Sequence, residues 1–225
     1  MTVYLSRARL KRTASIAALG RVLLPDDDSQ RAMAAHHLVW SLFAGDPEQK
    51  RDFLWREDQQ GVFFILSPHS PVSSEVFEVE TKEFAPSLAP GDQLRFSLRA
   101  NATKSYKAAP GQRGKRADVV MAKIHGMSKC ERSEQRAEIA TSAGCEWLAA
   151  QGAQHGFCLP ERITVDGYNK FKLPRQGKRE KIEISTLEFA GILEITDSAK
   201  FLDKLASGFG RARAFGCGLM LIRRP

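Results

Sequence analysis

The chain has 225 residues, enough for one large domain or two small ones, and its 43% hydrophobic content allows a sizeable buried core. Lys and Arg number 34 against 26 Asp and Glu, giving a formal charge of +8 and a pI near 9.5. Such an excess repels itself unless something acidic lies against it. Nucleic acid is the commonest such partner, although many basic proteins meet no polyanion, so the location of the charge has to decide. The four cysteines, Cys130, Cys145, Cys158 and Cys217, form no CxxC pair and no ligand-like spacing with histidine. That pattern argues against a zinc site and a disulfide framework and for reduced cytoplasmic thiols. No segment approaches the ~20 apolar residues that span a bilayer, so the chain is expected to be neither exported nor membrane-embedded.

In chain order, the near-alternation of Val3, Leu5, Ala8 and Leu10 predicts an opening strand. Asp26, Asp27, Asp28 and Ser29 supply capping oxygens for a helix from Gln30 to Phe43, ended by Gly45. Arg51–Glu57 and Gly61–Leu66 read as a hairpin, and a Pro- and Ser-rich connector, Ser67–Ser74, follows. In Asp92–Ala100, Leu94, Phe96 and Leu98 alternate with polar neighbours, the mark of a half-buried strand. Taken as its closing strand, it completes a ferredoxin-like unit over 1–103. The segment 104–118 carries Lys104, Arg113, Lys115 and Arg116 among Pro and Gly and is expected to be an exposed basic linker.

The remainder, 119–225, repeats the order. Helical spacing runs through Ser133–Gln151, and strands are expected at Ile163–Leu173, Lys181–Ile184 and Leu187–Ile195. A helix capped by Asp197 and Ser198 runs through Leu205, and Leu219–Arg223 is the last strand. The fold class is therefore α+β, as two tandem ferredoxin-like units. Around the turn Pro174-Arg175-Gln176-Gly177, basic residues crowd: Lys170, Lys172, Arg175, Lys178, Arg179 and Lys181, beside Tyr168. Glu180 and Glu183 alone offset them, which weakens the reading as an ordinary solvated turn.

Between the last helix and the last strand, Gly208, Gly210, Gly216 and Gly218 fall within eleven positions, with Arg211 and Arg213 between them. Such a turn can receive phosphate oxygens on exposed N–H groups, and it serves equally as a helix cap and tight packing turn. The arrangement G-aromatic-G, five residues, G-x-G-Leu resembles the glycine-rich loop of the RAMP superfamily of CRISPR proteins, and the final Gly216-Cys217-Gly218-Leu219 resembles its CasE branch. Tyr4-Leu5-Ser6, the run Leu94–Asn101 with Lys104, and the helix end His36–Phe43 match that branch in order and spacing over essentially the whole chain.

The resemblance implies an endoribonuclease that needs no metal or other cofactor. It cuts CRISPR repeat RNA at the base of the stem-loop by attack of a 2′-OH, and keeps the crRNA as a subunit of Cascade. It places the catalytic histidine at His36, four residues before Trp40, with His37 as the near competitor and a surface role for both as the plain alternative. It implies RNA contacts from the basic hairpin, the glycine-rich loop and the 104–116 segment. The chain departs from the pattern at Met33, where members often carry a tyrosine, and a thioether donates no proton. Tyr168, Lys170 or Lys104 is then expected to share the acid–base work. A weak or inactive RNA-binding subunit is the alternative, and a general RNA-binding protein the more distant one.

Overall fold

The computed structural model describes residues 2–44, 52–106, 114–175 and 178–225, and leaves aside the side chains of Lys115, Lys129, Arg175 and 178–180. The expected contact Arg113 and the side-chain contacts of Lys115, Arg175, Lys178 and Arg179 lie outside that description. The first unit comprises β1 (Tyr4–Leu10), α1 (Ala14–Ala18), α2 (Gly20–Leu23), α3 (Asp28–Trp40), β2 (Leu54–Gln59), β3 (Val62–Ser67) and β4 (Phe77–Glu83). The second begins with β5 (Gln93–Ala100), followed by β6 (Thr103–Tyr106), β7 (Lys115–Asp118), α4 (Val119–Ile124) and α5 (Lys129–His155). It continues through β8 (Phe157–Cys158), β9 (Thr164–Arg175), β10 (Lys178–Ile195), α6 (Ser198–Ser207) and β11 (Met220–Arg223).

The first sheet runs β2-β3-β1-β4 and the second β11-β5-β10, with β9 and β8 both paired to β10. Each is antiparallel, and each has the strand arrangement of a ferredoxin-like unit. The two-unit α+β reading holds, with one correction to its division. β5 does not close the first sheet: it lies between β10 and β11, with Leu98 opposite Phe189 and Met220, and so opens the second unit. The change of sheet falls between Glu83 and Gln93, ahead of the expected boundary at 103. Likewise, the described ends of the 104–118 linker are strands, since β6 and β7 pair from Thr103 opposite Asp118 to Tyr106 opposite Lys115. Two expected strands merge into the single long β10. β4 escaped notice because it is an edge strand whose one buried residue is Phe77.

Packing explains the arrangement. The alternation in β5 turns Leu94, Phe96, Leu98 and Ala100 into the larger core, against Leu148, Phe189 and Phe201. Each large side chain of this kind contributes about 1.5–3 kcal/mol on burial. Ala35, Val39 and Leu42 fill the smaller core with Phe63 and Ile65, as the helical spacing requires. Leu54, Leu66 and Leu219 join the two sheets. Arg56 of β2 is also buried there. Its Nη1 donates to Ser97 Oγ of β5 at 3.3 Å, with Glu188 of β10 at 4.0 Å, and burial lowers its pKa.

Candidate nuclease site and RNA-facing surfaces

α3 begins where Asp27 Oδ1 accepts from the Gln30 backbone N–H at 2.9 Å. Arg31 then fastens the helix to β2 through two bonds to Glu57, at 3.0 and 2.6 Å. One turn on, Ala35 and Val39 point into the core, which puts His36 at the margin, half-buried, while His37 is exposed. Two aromatic rings fix the surroundings of His36. Trp40 meets its imidazole edge-on at 6.3 Å between ring centroids, and Phe215 lies tilted at 6.0 Å. Trp40 is itself held against Phe53, which stacks on Phe43 at 4.6 Å.

Phe215 ends a short 3-10 turn, Arg213–Phe215, within the glycine-rich loop, so the C-terminal loop of the second unit meets the helix of the first. The sequence singled out the glycines and arginines of this loop and missed Phe215; an aromatic between two glycine pairs was the available signal. The loop is closed on protein. Gly208, Gly216 and Gly218 are buried, and Gly210 is half-buried. A side chain at Gly210 would start 2.7 Å from the Asn101 carbonyl oxygen, and one at Gly218 2.7 Å from that of Phe209. Both have positive φ, +69° and +93°, which glycine alone adopts without strain. Ala212, at φ 54°, is the one non-glycine residue in the left-handed region among the described residues. Gly216 rests on Trp55 and Gly208 on Leu54. Of the two readings of this turn, packing accounts for the glycines, and the loop presents Arg211 and Arg213, both exposed, to solvent.

A cleft of about 310 Å³ opens beside Phe215. Arg31 and Ala35 of α3, the β2–β3 turn, Arg99 of β5 and Glu188 of β10 line it, and Arg99 donates to Glu188.

The three groups expected to replace a tyrosine at Met33 make their contacts elsewhere. Tyr168 donates its hydroxyl to Asp118 Oδ1 at 2.9 Å, and Ser185 Oγ donates to Oδ2 of the same carboxylate. Arg136 of α5 lies over the phenol ring at 5.1 Å. Burial, with Asp118 beside it, pushes the phenol pKa well above its ordinary value, so this proton is held more tightly. Tyr168 therefore braces the second unit through Asp118. Lys170 pairs with Glu183 at 2.9 Å, and exposed Lys104 acts electrostatically on Glu146 of α5. Lys172 is exposed on β9, as is Arg116 on β7, where its Nε donates to Ser105.

A family model described as CRISPR associated protein matches residues 3–224. The chain is 26% identical over 209 residues to the CRISPR system Cascade subunit CasE of Escherichia coli, covering 90% of this chain and 96% of that protein. It is 30% identical over 153 residues to the CRISPR-associated endoribonuclease Cse3 of Thermus thermophilus, covering 63% of this chain and 60% of the other. Among solved structures, Thermus thermophilus Cse3 bound to an RNA representing a pre-cleavage complex aligns with a TM-score of 0.68 at 22% identity, over 99% of this chain and 100% of that one. Cas6e from Escherichia coli aligns with a TM-score of 0.61 at 21% identity, over 99% and 100%.

Proposed function

This chain belongs to the family of CRISPR-associated proteins, and from that premise we propose that it is the endoribonuclease that cuts CRISPR repeat RNA at the base of its stem-loop. It then retains the crRNA as a subunit of a Cascade complex in the cytoplasm. The names and RNA-bound state of its relatives support this reading. The observation that carries it is the placement of His36, half-buried between Trp40 and Phe215, where the first unit's helix meets the glycine-rich loop of the second.

In the reaction the ribose 2′-oxygen loses its proton and bonds to the adjacent phosphorus. The bond from phosphorus to the next nucleotide's 5′-oxygen breaks, and that oxygen gains a proton. The products are a 2′,3′-cyclic phosphate and a 5′-OH. His36 moves one of these protons, since an imidazole titrates near working pH and such a group contributes about a hundredfold to ten-thousandfold. Arg211 and Arg213 face the phosphate charge, while Lys104, Arg116, Lys170 and Lys172 hold the stem.

Met33 and the occupied hydroxyl of Tyr168 favour a second reading, a subunit that binds repeat RNA with little or no cleavage. One assay separates the two. Wild type and His36→Ala are incubated with repeat RNA in EDTA, and both cutting and binding are followed. The nuclease reading expects metal-free cutting to a cyclic-phosphate end that falls at least about a hundredfold in the variant, with affinity kept. Binding without cutting by wild type would establish the second reading.

A further inference from the structure

We propose that an unpaired stretch of RNA adjoining the repeat hairpin binds in a second groove, on the face of the first sheet that carries Arg7 and Arg9, reached from the cleft beside Phe215 across the β2–β3 turn. The proposal rests on the nuclease reading for the identity of the RNA, and on the following geometry for the site.

β1 alternates. Ser6 and Ala8 are fully buried, which turns Arg7 and Arg9 to the other face of the sheet. The register with β3 sets Arg7 opposite Phe64 and Arg9 opposite Val62, so two guanidinium groups share a surface with an aromatic and an aliphatic side chain, both half-buried. Lys11 and Arg12 extend the charge beyond the strand. Ile16, Ala17 and Leu24, from the α1–α2 segment and the residue after it, form the facing wall of a groove of about 670 Å³. Arg7 is paired with Glu80 at 2.7 Å, and Arg9, opposite Glu78 in the register with β4, acts electrostatically on the same Glu80, while Lys11 and Arg12 form no ion pair among the described residues. Asp58 is the one carboxylate among the described lining residues.

A cationic edge beside an apolar floor is the surface that a single strand needs, phosphates on the arginines and bases on the floor. A duplex keeps its bases inside its own stack and would leave Phe64 and Val62 uncovered. The groove also adjoins the cleft beside Phe215, the ring that meets His36, because Asp58, Gln59 and Gln60 line both. That turn is held in place: Glu57, already bonded to Arg31 of α3, also accepts from the Gly61 backbone N–H at 2.9 Å. The exposed amides of Gln59 and Gln60 offer donors and acceptors to base edges at the crossing. A protein partner is disfavoured by the same residues, since the cores of protein interfaces are depleted of charge.

The experiment compares wild type with the double variant Arg9→Ala/Arg12→Ala on three RNAs: the repeat hairpin alone, the hairpin with its 5′ single-stranded flank, and the hairpin with its 3′ flank. Binding is titrated across salt concentrations, and cutting in EDTA is followed separately. At least one flanked RNA should bind wild type more tightly than the bare hairpin. On that RNA the double variant should lose about tenfold or more in Kd. Its salt slope should fall by about 1.4, the release expected for two single-strand phosphate contacts. Binding of the bare hairpin, and Tm, should stay at wild-type values. Equal losses on all three RNAs, or none, would overturn the groove. So would unchanged RNA binding with failure to assemble with other Cascade subunits, which would make this face a protein interface. Failure of wild type to cut would overturn the nuclease reading alone, since the flank-dependent loss is read from binding.

Discussion

The glycine-rich loop and the β9–β10 hairpin look alike in sequence, both basic and both built around turns, yet they use their residues in opposite directions. The loop turns most of itself inward: Gly218 donates its N–H to the Arg99 carbonyl at 2.7 Å, Arg211 donates to that of Asn101 at 3.3 Å, and Phe215 reaches His36. The hairpin turns outward from a braced base. Tyr168, Ser185 and Asn101 converge on Asp118 or on one another, and beyond them Lys172 and Lys181 stand exposed. Glycine density here marks a packing problem solved, whereas charge density marks a surface. The loop should govern where the chemistry happens, and the hairpin how tightly RNA is held.

Phe215→Ala gives the sharpest test of that division. It should cut about a hundredfold more slowly with RNA affinity unchanged, because misplacing a catalytic group by about 1 Å costs that much. A single-turnover rate beside a binding curve checks it, and an equal loss in both would merge the two roles. Next in size, Gly210→Ala should destabilise the fold by about 2 kcal/mol or more, through positive φ and the clash with the Asn101 carbonyl. Thermal melting should show a Tm lower by at least about 4 °C. An unchanged Tm would mean that the loop is free of the strand beneath it. Smallest is Lys172→Ala, which should weaken hairpin RNA about threefold to tenfold, lower the salt slope by about 0.9 and leave Tm unmoved. A fall in Tm would make the hairpin, like the loop, a packing element.

The spacing of the helix and of the glycine-rich loop was legible before the structure. Ala35, Val39 and Leu42 recur at helical spacing, and in the structure all three are buried. The glycine spacing marked the loop. Its aromatic contact was not legible, because Phe215 approaches His36 across a chain separation that no local period encodes. The Asp118 partner of Tyr168 was not legible for a related reason. β9 and β10 shift register between Thr186 and Glu188, and Gly167 beside it has a φ of +60°. A one-residue irregularity reverses which face a side chain takes. Arg7 and Arg9 were read only as part of an alternating strand, since their groove needs walls from β3 and the α1–α2 segment.

The sequence by itself determined several elements and their inward faces: alternation made β5 a half-buried strand, and capping carboxylates began α3 and α6. Those properties depend on neighbours a few positions away. The tertiary structure alone decided which sheet β5 joins, which ring faces His36, and which turn lines both the cleft beside Phe215 and the groove on the first sheet. Backbone hydrogen bonds are the same whichever strands they join, so partners such as Leu98 and Phe189 are selected only when whole faces are buried together.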